Sequence, residues 1–391
     1  MKTSTKIIID KFAGGSIVFV LKNLFRLFSS RKSSKSNSPK TIVICKFLGM
    51  GSIVQSTPLL QTFKNQFPEV KIIYLTSISN KKFLEQISLI DQSIIINDRS
   101  LFSTIISTLS CIRILFSKKV DLFIDLELYS HFSKIFTIVS NADLKFGLTH
   151  SNNKNQNIYS STFQMHIDRP VSDSYLEMCK PFNPQEIICE LYKFPVSDEK
   201  RNAVQKRFEI SGDYIVVNPN ASDLRIERRW PKENFVSLIN KIAETDTARK
   251  IVLIGSSSES NYVNEICSAI NSCQQKSIAN TAGKLSIDEL IALISGATLT
   301  ITNDTGPMHL SFALNRPTLA LFGPASPIQF GNQSNSIAVY KKVSCSPCVH
   351  DHIKPPCGGD NVCMKGIGVA EVYLATIGLM EVKSQVSKVD L

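Results

Sequence analysis

The sequence predicts an α/β protein with two doubly wound halves. From Thr41 onward, β-rich segments alternate with segments of helical periodicity, which is typical of parallel sheets with crossover helices. A second series of the same kind begins at Tyr214. The 391 residues exceed one ordinary domain. We therefore expect a Rossmann-like domain over residues 41–195, a linker over 196–212 and a second Rossmann-like domain over 213–391.

Residues 1–40 form a basic arm with a composition of its own. They hold nine basic residues against Asp10 alone, and so carry eight of the eleven net positive charges. Segment 12–28 is apolar, but it is shorter than the ~20 apolar residues that a membrane span needs. Lys22 and Arg26 interrupt it at helical spacing, which favours an amphipathic helix lying in the membrane interface. We expect contact with a membrane surface through residues 11–40; the alternative is an arm that packs on the protein itself.

The remaining charge is spread thinly over the folded body, so we do not expect nucleic-acid binding.

In the first half, the predicted strands are 41–47, 71–76, 93–96 and 121–126, and the predicted helices are 53–67, 81–87, 101–116 and 131–139. The first strand leads into a turn where Gly49 and Gly51 let the backbone approach a ligand. Lys46 precedes this turn and either holds an acceptor phosphate or is solvated. Asp125 and Glu127 end another strand and are expected at the same carboxyl edge, unless they cap a helix or lie in a solvated loop.

The second half leads to a strand, a polar turn, a short helix and a strand. Earlier elements are strands 214–218 and 251–255, helices 232–244 and 261–270, and a capping box at Ser286 and Glu289. Strand 299–302 then stops at the turn 303–306, and Pro307 suits the first turn of a helix. The exposed N–H groups of such a helix start favour an anion. Asp304 can accept hydrogen bonds from ribose hydroxyls and His309 lies one turn into the helix, although the segment can equally be only a well-capped crossover.

This segment also resembles a known family. The run NDTGPMHL (303–310), followed by RP (316–317) and LFGP (321–324), is similar to the signature of glycosyltransferase family 9, the family of the ADP-heptose:lipopolysaccharide heptosyltransferases. The resemblance implies the GT-B fold, in which two Rossmann-like domains face each other across a cleft. It also implies an inverting, metal-independent sugar transfer without a cofactor. The implied partners are a nucleotide-sugar donor and a lipid-linked glycan acceptor, with the enzyme peripheral on the cytoplasmic face of the membrane.

The resemblance assigns a donor site in the second half. It implies that Ser222 and Arg228 contact the donor phosphates, although the family commonly has Lys at the position of Arg228. Glu259 would contact the nucleoside, and Leu285 would lie against the adenine. The same resemblance completes the donor site with Asp304, Thr305, Gly306 and His309.

The N-terminal motif departs from the family at its reactive position. The family has a Gly-Asp pair there, and its Asp is the proposed general base; this chain has Gly51 and Ser52. A serine hydroxyl is not a useful base near neutral pH without an activating group. Glu127 is our preferred substitute base, and Lys46 and Gly51 are expected on the acceptor side. The alternative is a non-catalytic nucleotide-sugar-binding or scaffold protein derived from this family.

The ten cysteines do not resemble a secreted disulfide framework. Six are isolated and are most simply neutral thiols in a reducing compartment. Cys345, Cys348, Cys357 and Cys363 are clustered and could form a four-thiolate zinc site, with free thiols as the alternative.

Overall fold

The computed structural model describes residues 10–28, 38–47, 49–150, 158–222, 225–331, 333–349 and 355–386. The chain divides into two compact units, Met1–Tyr192 and Lys193–Leu391. Each unit contains a six-stranded sheet in which every recorded strand pair is parallel. The predicted pair of doubly wound α/β halves is confirmed.

The first sheet has the order β3-β2-β1-β4-β5-β6. Its strands are β1 (Thr41–Cys45), β2 (Lys71–Ser77), β3 (Gln92–Ile96), β4 (Val120–Asp125), β5 (Ala142–Thr149) and β6 (Ser161–Gln164). The helices of this unit are α1 (Gly15–Phe28), α2 (Met50–Gln66), α3 (Lys81–Leu84), α4 (Leu101–Ser117), α5 (His131–Val139) and α6 (Val171–Leu176). The central strands β1 and β4 are almost wholly buried, as expected for a parallel sheet with both faces covered.

The described part of the arm packs on the protein. Val18 of α1 is buried in a cluster with Ile135 and Ile138 of α5. The Asp10 carboxylate accepts a hydrogen bond from the His131 backbone N–H (2.9 Å), at the start of α5. Residues 29–37 of the predicted membrane-contact segment lie outside the described residues. Within the described ranges, no helix has both the length and the apolar character that a bilayer crossing needs.

The second sheet has the order β12-β11-β10-β7-β8-β9. Its strands are β7 (Tyr214–Asn218), β8 (Lys250–Leu253), β9 (Ile278–Asn280), β10 (Leu299–Asn303), β11 (Thr318–Phe322) and β12 (Ser336–Tyr340). The helices are α7 (Asp198–Arg207), α8 (Lys232–Thr245), α9 (Ser260–Ala269), α10 (Ile287–Gly296), α11 (Gly306–Ala313), α12 (Pro327–Phe330), α13 (Val362–Lys365) and α14 (Val369–Val386). Strands β7, β10 and β11 are buried along their whole length.

The segment predicted as a linker, residues 196–212, contains helix α7. Ser197 caps this helix by accepting a hydrogen bond from the Lys200 N–H (3.2 Å). Arg207 donates to Glu289 of α10 (2.6 Å), and Lys200 pairs with Asp288. Acidic residues in the first turn and basic residues in the last also suit the helix dipole. The segment therefore belongs to the second unit as an ordered element.

The single tryptophan lies in the core of the second unit. Trp230 is fully buried and packs edge-on against Phe235, with ring centroids 5.0 Å apart. Its indole N–H donates to the Ile367 carbonyl (3.0 Å), and its backbone N–H donates to the Asn303 side chain (3.1 Å). Trp230 thus ties the strand end of β10 to the segment before α14.

Replacing Trp230 with Phe should lower the free energy of unfolding of the second unit by about 1–3 kcal/mol. The change leaves the buried Ile367 carbonyl without its donor and leaves space where the larger ring was. Urea denaturation followed by circular dichroism measures the effect. Tyr373→Phe is the control, because it removes an exposed hydrogen bond in the same unit and should change stability by less than ~0.5 kcal/mol. Equal stability of the two variants would contradict a structural role for the indole N–H.

Candidate functional site

The residues predicted for the donor side lie in the turns and helix starts that follow four strands of the second sheet. In a parallel sheet these carboxyl ends meet at one edge, where ligands of α/β proteins bind. The predicted residues follow β7 (Ser222, Arg228), β8 (Glu259), β9 (Leu285) and β10 (Asp304, Thr305, Gly306, His309). The structure therefore places all eight at the same edge of one sheet.

Two asparagine side chains hold the turn between β10 and α11. Asn303 donates to the Asn220 carbonyl (3.0 Å), next to the end of β7. Asn218, the last residue of β7, donates to the Thr305 hydroxyl (2.7 Å) and the Thr302 hydroxyl (3.0 Å). Sequence reasoning assigned no role to these asparagines, although their positions at strand ends were a usable signal. They fix the position of the Thr305–Gly306 peptide relative to β7.

The start of α11 carries no side-chain cap. Thr305 is the N-cap residue, but its hydroxyl makes no capping hydrogen bond, and the first turn contains no acidic residue. The hydroxyl instead accepts the hydrogen bond from Asn218. Pro307 has no N–H, and the Met308 N–H donates to the Thr305 carbonyl (3.1 Å). The Gly306 N–H and the helix dipole therefore remain available to an anion.

A buried ionic group lies beside this helix start. The Arg228 Nε and Asp304 Oδ2 atoms are 3.4 Å apart, and neither has a hydrogen-bond partner among the described residues. His309 Nε2 lies 4.0 Å from Asp304 Oδ1. Asp304 and His309 are buried, whereas Arg228 is partly exposed. Burial lowers the pKa of His309 to about 4, with Asp304 opposing and Arg228 adding to the shift, so the imidazole is neutral near pH 7.

The loops after β8 and β9 contact each other. Gly283 has a φ of 75°, and a Cβ there would lie 3.2 Å from the Ser257 Cα, so this close approach favours glycine. Glu259 Oε2 accepts hydrogen bonds from the Ser256 N–H (2.8 Å) and hydroxyl (2.7 Å), so this oxygen caps the loop. Leu285, two residues after Gly283, is half-buried. Ser222 is exposed and adjoins residues 223–224, which are outside the described ranges.

In the first unit, the structure joins two residues that the sequence analysis assigned separately. Lys46 Nζ donates to Glu127 Oε2 (3.0 Å), and the Phe47 N–H donates to Glu127 Oε1 (2.7 Å). Both side chains are buried. Burial alone would lower the pKa of Lys46, but the Glu127 carboxylate outweighs it and raises the pKa. Both carboxylate oxygens of Glu127 are therefore engaged, which disfavours it as a free general base.

Asp125 is sealed in the interior just before this pair. It is fully buried and accepts hydrogen bonds from the Ser133 hydroxyl (2.8 Å), the Tyr159 hydroxyl (2.8 Å) and the Glu127 N–H (3.0 Å). Burial raises the pKa of Asp125 to about 6. This carboxylate does not face an open edge as the sequence suggested; it holds the chain that carries Glu127.

Ser52 is the third residue of α2, whose first turn has no acidic residue. The helix starts after Gly49, which has a φ of 85°. Gly51 is buried and Ser52 is half-buried.

All ten cysteines are described, and none forms a disulfide. Cys348 and Cys363 are buried, and burial raises the pKa of Cys363 to about 11. Backbone hydrogen bonding, first from Asn361, lowers the pKa of Cys357. No three His, Cys, Asp or Glu side chains in the described ranges form a group that could hold a metal ion, so the zinc hypothesis has no support there.

Two Rossmann-like domains with six parallel strands each place the chain in the GT-B class of α/β folds. The profile of glycosyltransferase family 9 (heptosyltransferase) matches residues 110–356, more than half of the chain. The chain belongs to this family.

Individual relatives match over different lengths. Lipopolysaccharide heptosyltransferase 2 of Escherichia coli is 34% identical over 134 residues, which span 34% of this chain and only 38% of that protein. Lipopolysaccharide heptosyltransferase 1 of Campylobacter coli is 24% identical over 72% of this chain and 83% of that protein. The structure of the ADP-heptose heptosyltransferase II of Escherichia coli has a TM-score of 0.71 at 20% identity, covering 88% of this chain and 99% of that chain. An Escherichia coli heptosyltransferase solved with ADP has a TM-score of 0.64 at 17% identity, covering 87% and 99%. At these identities the structural likeness shows the fold.

Replacing Glu127 with Gln should lower the free energy of unfolding of the first unit by about 3 kcal/mol, because it leaves the buried Lys46 charge without its counter-ion. Chemical denaturation measures this loss. Glu186→Gln is the control, since Glu186 makes only an exposed contact with Asn65 and should be neutral. A Glu127→Gln protein as stable as wild type would show that the ion pair is dispensable.

Asp125 should make stability depend on pH in a characteristic direction. The pKa in the folded protein, about 6, exceeds the ordinary value of 3.8, so between these pH values the folded state holds a proton that the unfolded state releases. The free energy of unfolding of wild type, relative to Asp125→Asn, should therefore fall by roughly 3 kcal/mol as pH rises from 4 to above 6. Denaturation of both proteins across this range measures the difference. A difference that is flat or rises with pH would contradict the assignment.

Proposed function

We propose that this protein is an inverting glycosyltransferase that moves heptose from ADP-heptose to a lipopolysaccharide-core or other cell-envelope glycan acceptor. Membership of glycosyltransferase family 9 supports the class of reaction. The relatives named as lipopolysaccharide heptosyltransferases support heptose as the sugar and lipopolysaccharide as the acceptor.

The observation that carries the proposal is the ionic group at the start of α11. A buried Asp304 and a partly exposed Arg228 leave side-chain atoms without hydrogen bonds, although unsatisfied buried polar atoms are costly. The uncapped helix start lies directly beside them. A ligand with a diphosphate and ribose hydroxyls would supply the missing partners for both.

On this proposal the second unit binds the donor. The N–H groups at Thr305 and Gly306 and the guanidinium of Arg228 hold the diphosphate and stabilise its charge as it leaves. Asp304 accepts hydrogen bonds from ribose hydroxyls, and neutral His309 acts through hydrogen bonds instead of through charge. The remaining assignments are Ser222 to the phosphates, Glu259 to the nucleoside and Leu285 to the adenine.

The first unit presents the acceptor hydroxyl for in-line attack. We assign Lys46 and Gly51 to the acceptor side; Lys46 acts there as half of its ion pair with Glu127. Contact with the cytoplasmic face of the membrane through residues 11–40 would bring the enzyme to a lipid-linked acceptor. Ser52 occupies the position of the family's general base. Glu127, which follows β4 at the same edge of the sheet, is the proposed substitute base.

One observation favours a second candidate function. Ser52 replaces the base of the family, and both carboxylate oxygens of Glu127 are already engaged. A protein with an intact donor site and no base would bind a nucleotide sugar without transferring it. This non-catalytic binding or scaffold role differs from the enzyme in one measurable property, turnover.

Donor binding should depend on Arg228. We expect ADP-heptose to raise the melting temperature of the protein more than UDP- or GDP-sugars do, because a ligand of the folded state stabilises it. Arg228→Ala should weaken ADP-heptose affinity by about tenfold to a hundredfold through loss of a charge-assisted hydrogen bond. Arg249→Ala is the matched control, because Arg249 has the same side-chain exposure in the same unit but precedes β8. Equal affinity of both variants would contradict the assigned site.

Turnover separates the two candidate functions. For the enzyme, we expect release of ADP that depends on an acceptor glycan, and a slower rate in Glu127→Gln after correction for the folded fraction. Ser52→Asp should raise the rate if the position retains the geometry of the family base. ADP-heptose binding with no turnover in wild type, restored by Ser52→Asp, would instead support the binding protein.

A further inference from the structure

Helix α4 presents its apolar side to solvent. Exposed fractions of its large side chains range from 51% at Ile105 and Ile106 to 74% at Phe102. The exposed positions recur at helical spacing along the whole outer side: Leu101, Phe102, Ile105, Ile106, Leu109 and Phe116. A surface helix normally has the opposite arrangement, with polar residues outside.

The inner side of α4 attaches the helix to the sheet through a few apolar residues. Cys111 and Leu115 are buried in the sheet core, and the partly buried Ile112 and Ile114 pack against it. Thr104 and Ser107 are half-buried on the same side, and their hydroxyls donate to the Ser100 and Ser103 carbonyls. The outer apolar side chains are therefore not needed to attach α4 to its own domain.

Helix α1, which also exposes apolar side chains, is a neighbour of α4. Ile112 of α4 and Val18 of α1 pack in the same cluster, together with α5, so the three helices are neighbours. The outer residues Phe19, Val20 and Leu24 of α1 are 48–69% exposed. We call these three residues and the six outer residues of α4 the apolar face. Exposed apolar patches of this kind mark interaction sites on soluble domains.

The three helices at the apolar face carry charged side chains of one sign. Helices α1, α4 and α5 contain four basic residues (Lys22, Arg26, Arg113 and Lys134) and no acidic residue. Apolar side chains bordered by basic ones suit the interface of an anionic bilayer, where each cation near the surface adds attraction.

We propose that the apolar face, with α4 as its main part, docks this protein on an anionic lipid bilayer. A second copy of the chain fits the charges less well, because the two faces would bring basic residues together without acidic partners. This inference extends the membrane contact proposed for residues 11–40 to a helix about 70 residues later in the chain. It concerns where the protein sits and does not depend on the transfer reaction.

Vesicle binding by the full chain tests the proposal. The variant Phe102→Glu/Leu109→Glu alters two residues that are 74% and 62% exposed, so folding should be retained, as circular dichroism would verify. Ile167→Glu/Leu374→Glu is the matched control, since both residues are 69% exposed and lie outside the apolar face. Flotation with phosphatidylglycerol–phosphatidylcholine vesicles, and with phosphatidylcholine alone, measures partitioning without donor or acceptor.

We expect wild type to bind the anionic vesicles more strongly than the neutral ones. The α4 variant should bind at least ~10-fold more weakly, because two apolar side chains no longer enter the interface, while the control should match wild type. Equal binding of the α4 variant and wild type would overturn the proposal and leave the arm as the sole contact. Absence of vesicle binding by wild type would also overturn the proposal. So would a wild-type dimer, seen by sedimentation velocity, that the α4 variant loses while its lipid binding is unchanged. Donor binding and turnover are separate measurements, so a failed transferase proposal would not alter these outcomes.

Discussion

The candidate donor site depends on the hydrogen bonds made by the Asn303 side chain. It closes two hydrogen bonds across the ends of β10 and β7, donating to the Asn220 carbonyl and accepting from the Trp230 N–H. Two adjacent parallel strands otherwise end in turns whose backbone groups lack partners. Because Asn303 satisfies those groups, Asp304 and the uncapped start of α11 are held in one place beside Arg228. A site for an anion needs this order before the ligand arrives.

The charged pairs of the two units differ in their hydrogen bonding. In the first unit, the Lys46 and Glu127 side chains meet at 3.0 Å and a backbone N–H occupies the remaining carboxylate oxygen. In the second, the Arg228 Nε and Asp304 Oδ2 atoms stay 3.4 Å apart and have no hydrogen-bond partner among the described residues, although Arg228 Nη1 donates to the Asp304 carbonyl (3.4 Å). A closed pair is balanced within the fold, whereas an open one retains capacity for an outside partner. The structural case for a ligand site is therefore stronger in the second unit.

Much of this organisation could be predicted from the sequence. Alternating periodicity predicted both sheets. The resemblance to glycosyltransferase family 9 selected the donor-side residues, and they share one edge because parallel strands run in the same direction. Side-chain pairing was beyond such reasoning: Lys46 and Glu127 lie far apart in the chain, and only the neighbouring positions of β1 and β4 bring them together. Helix α7 was not predicted because it has little apolar periodicity, although its Ser197 cap and its charged first and last turns are visible in the sequence. The described arm packs on α5, the alternative considered beside membrane contact, while its outer residues stay exposed.

Ser52 shows how donor binding and transfer can separate within one fold. The nucleotide contacts proposed here all come from the second unit, whose turns are fixed by Asn218, Asn220 and Asn303 and do not involve Ser52. Replacement of the family's Asp by Ser52 would thus leave the donor-side geometry intact. An acid at this position would gain from the uncapped start of α2, where a negative charge is stabilised by the helix dipole. Serine forgoes that stabilisation because its side chain carries no charge.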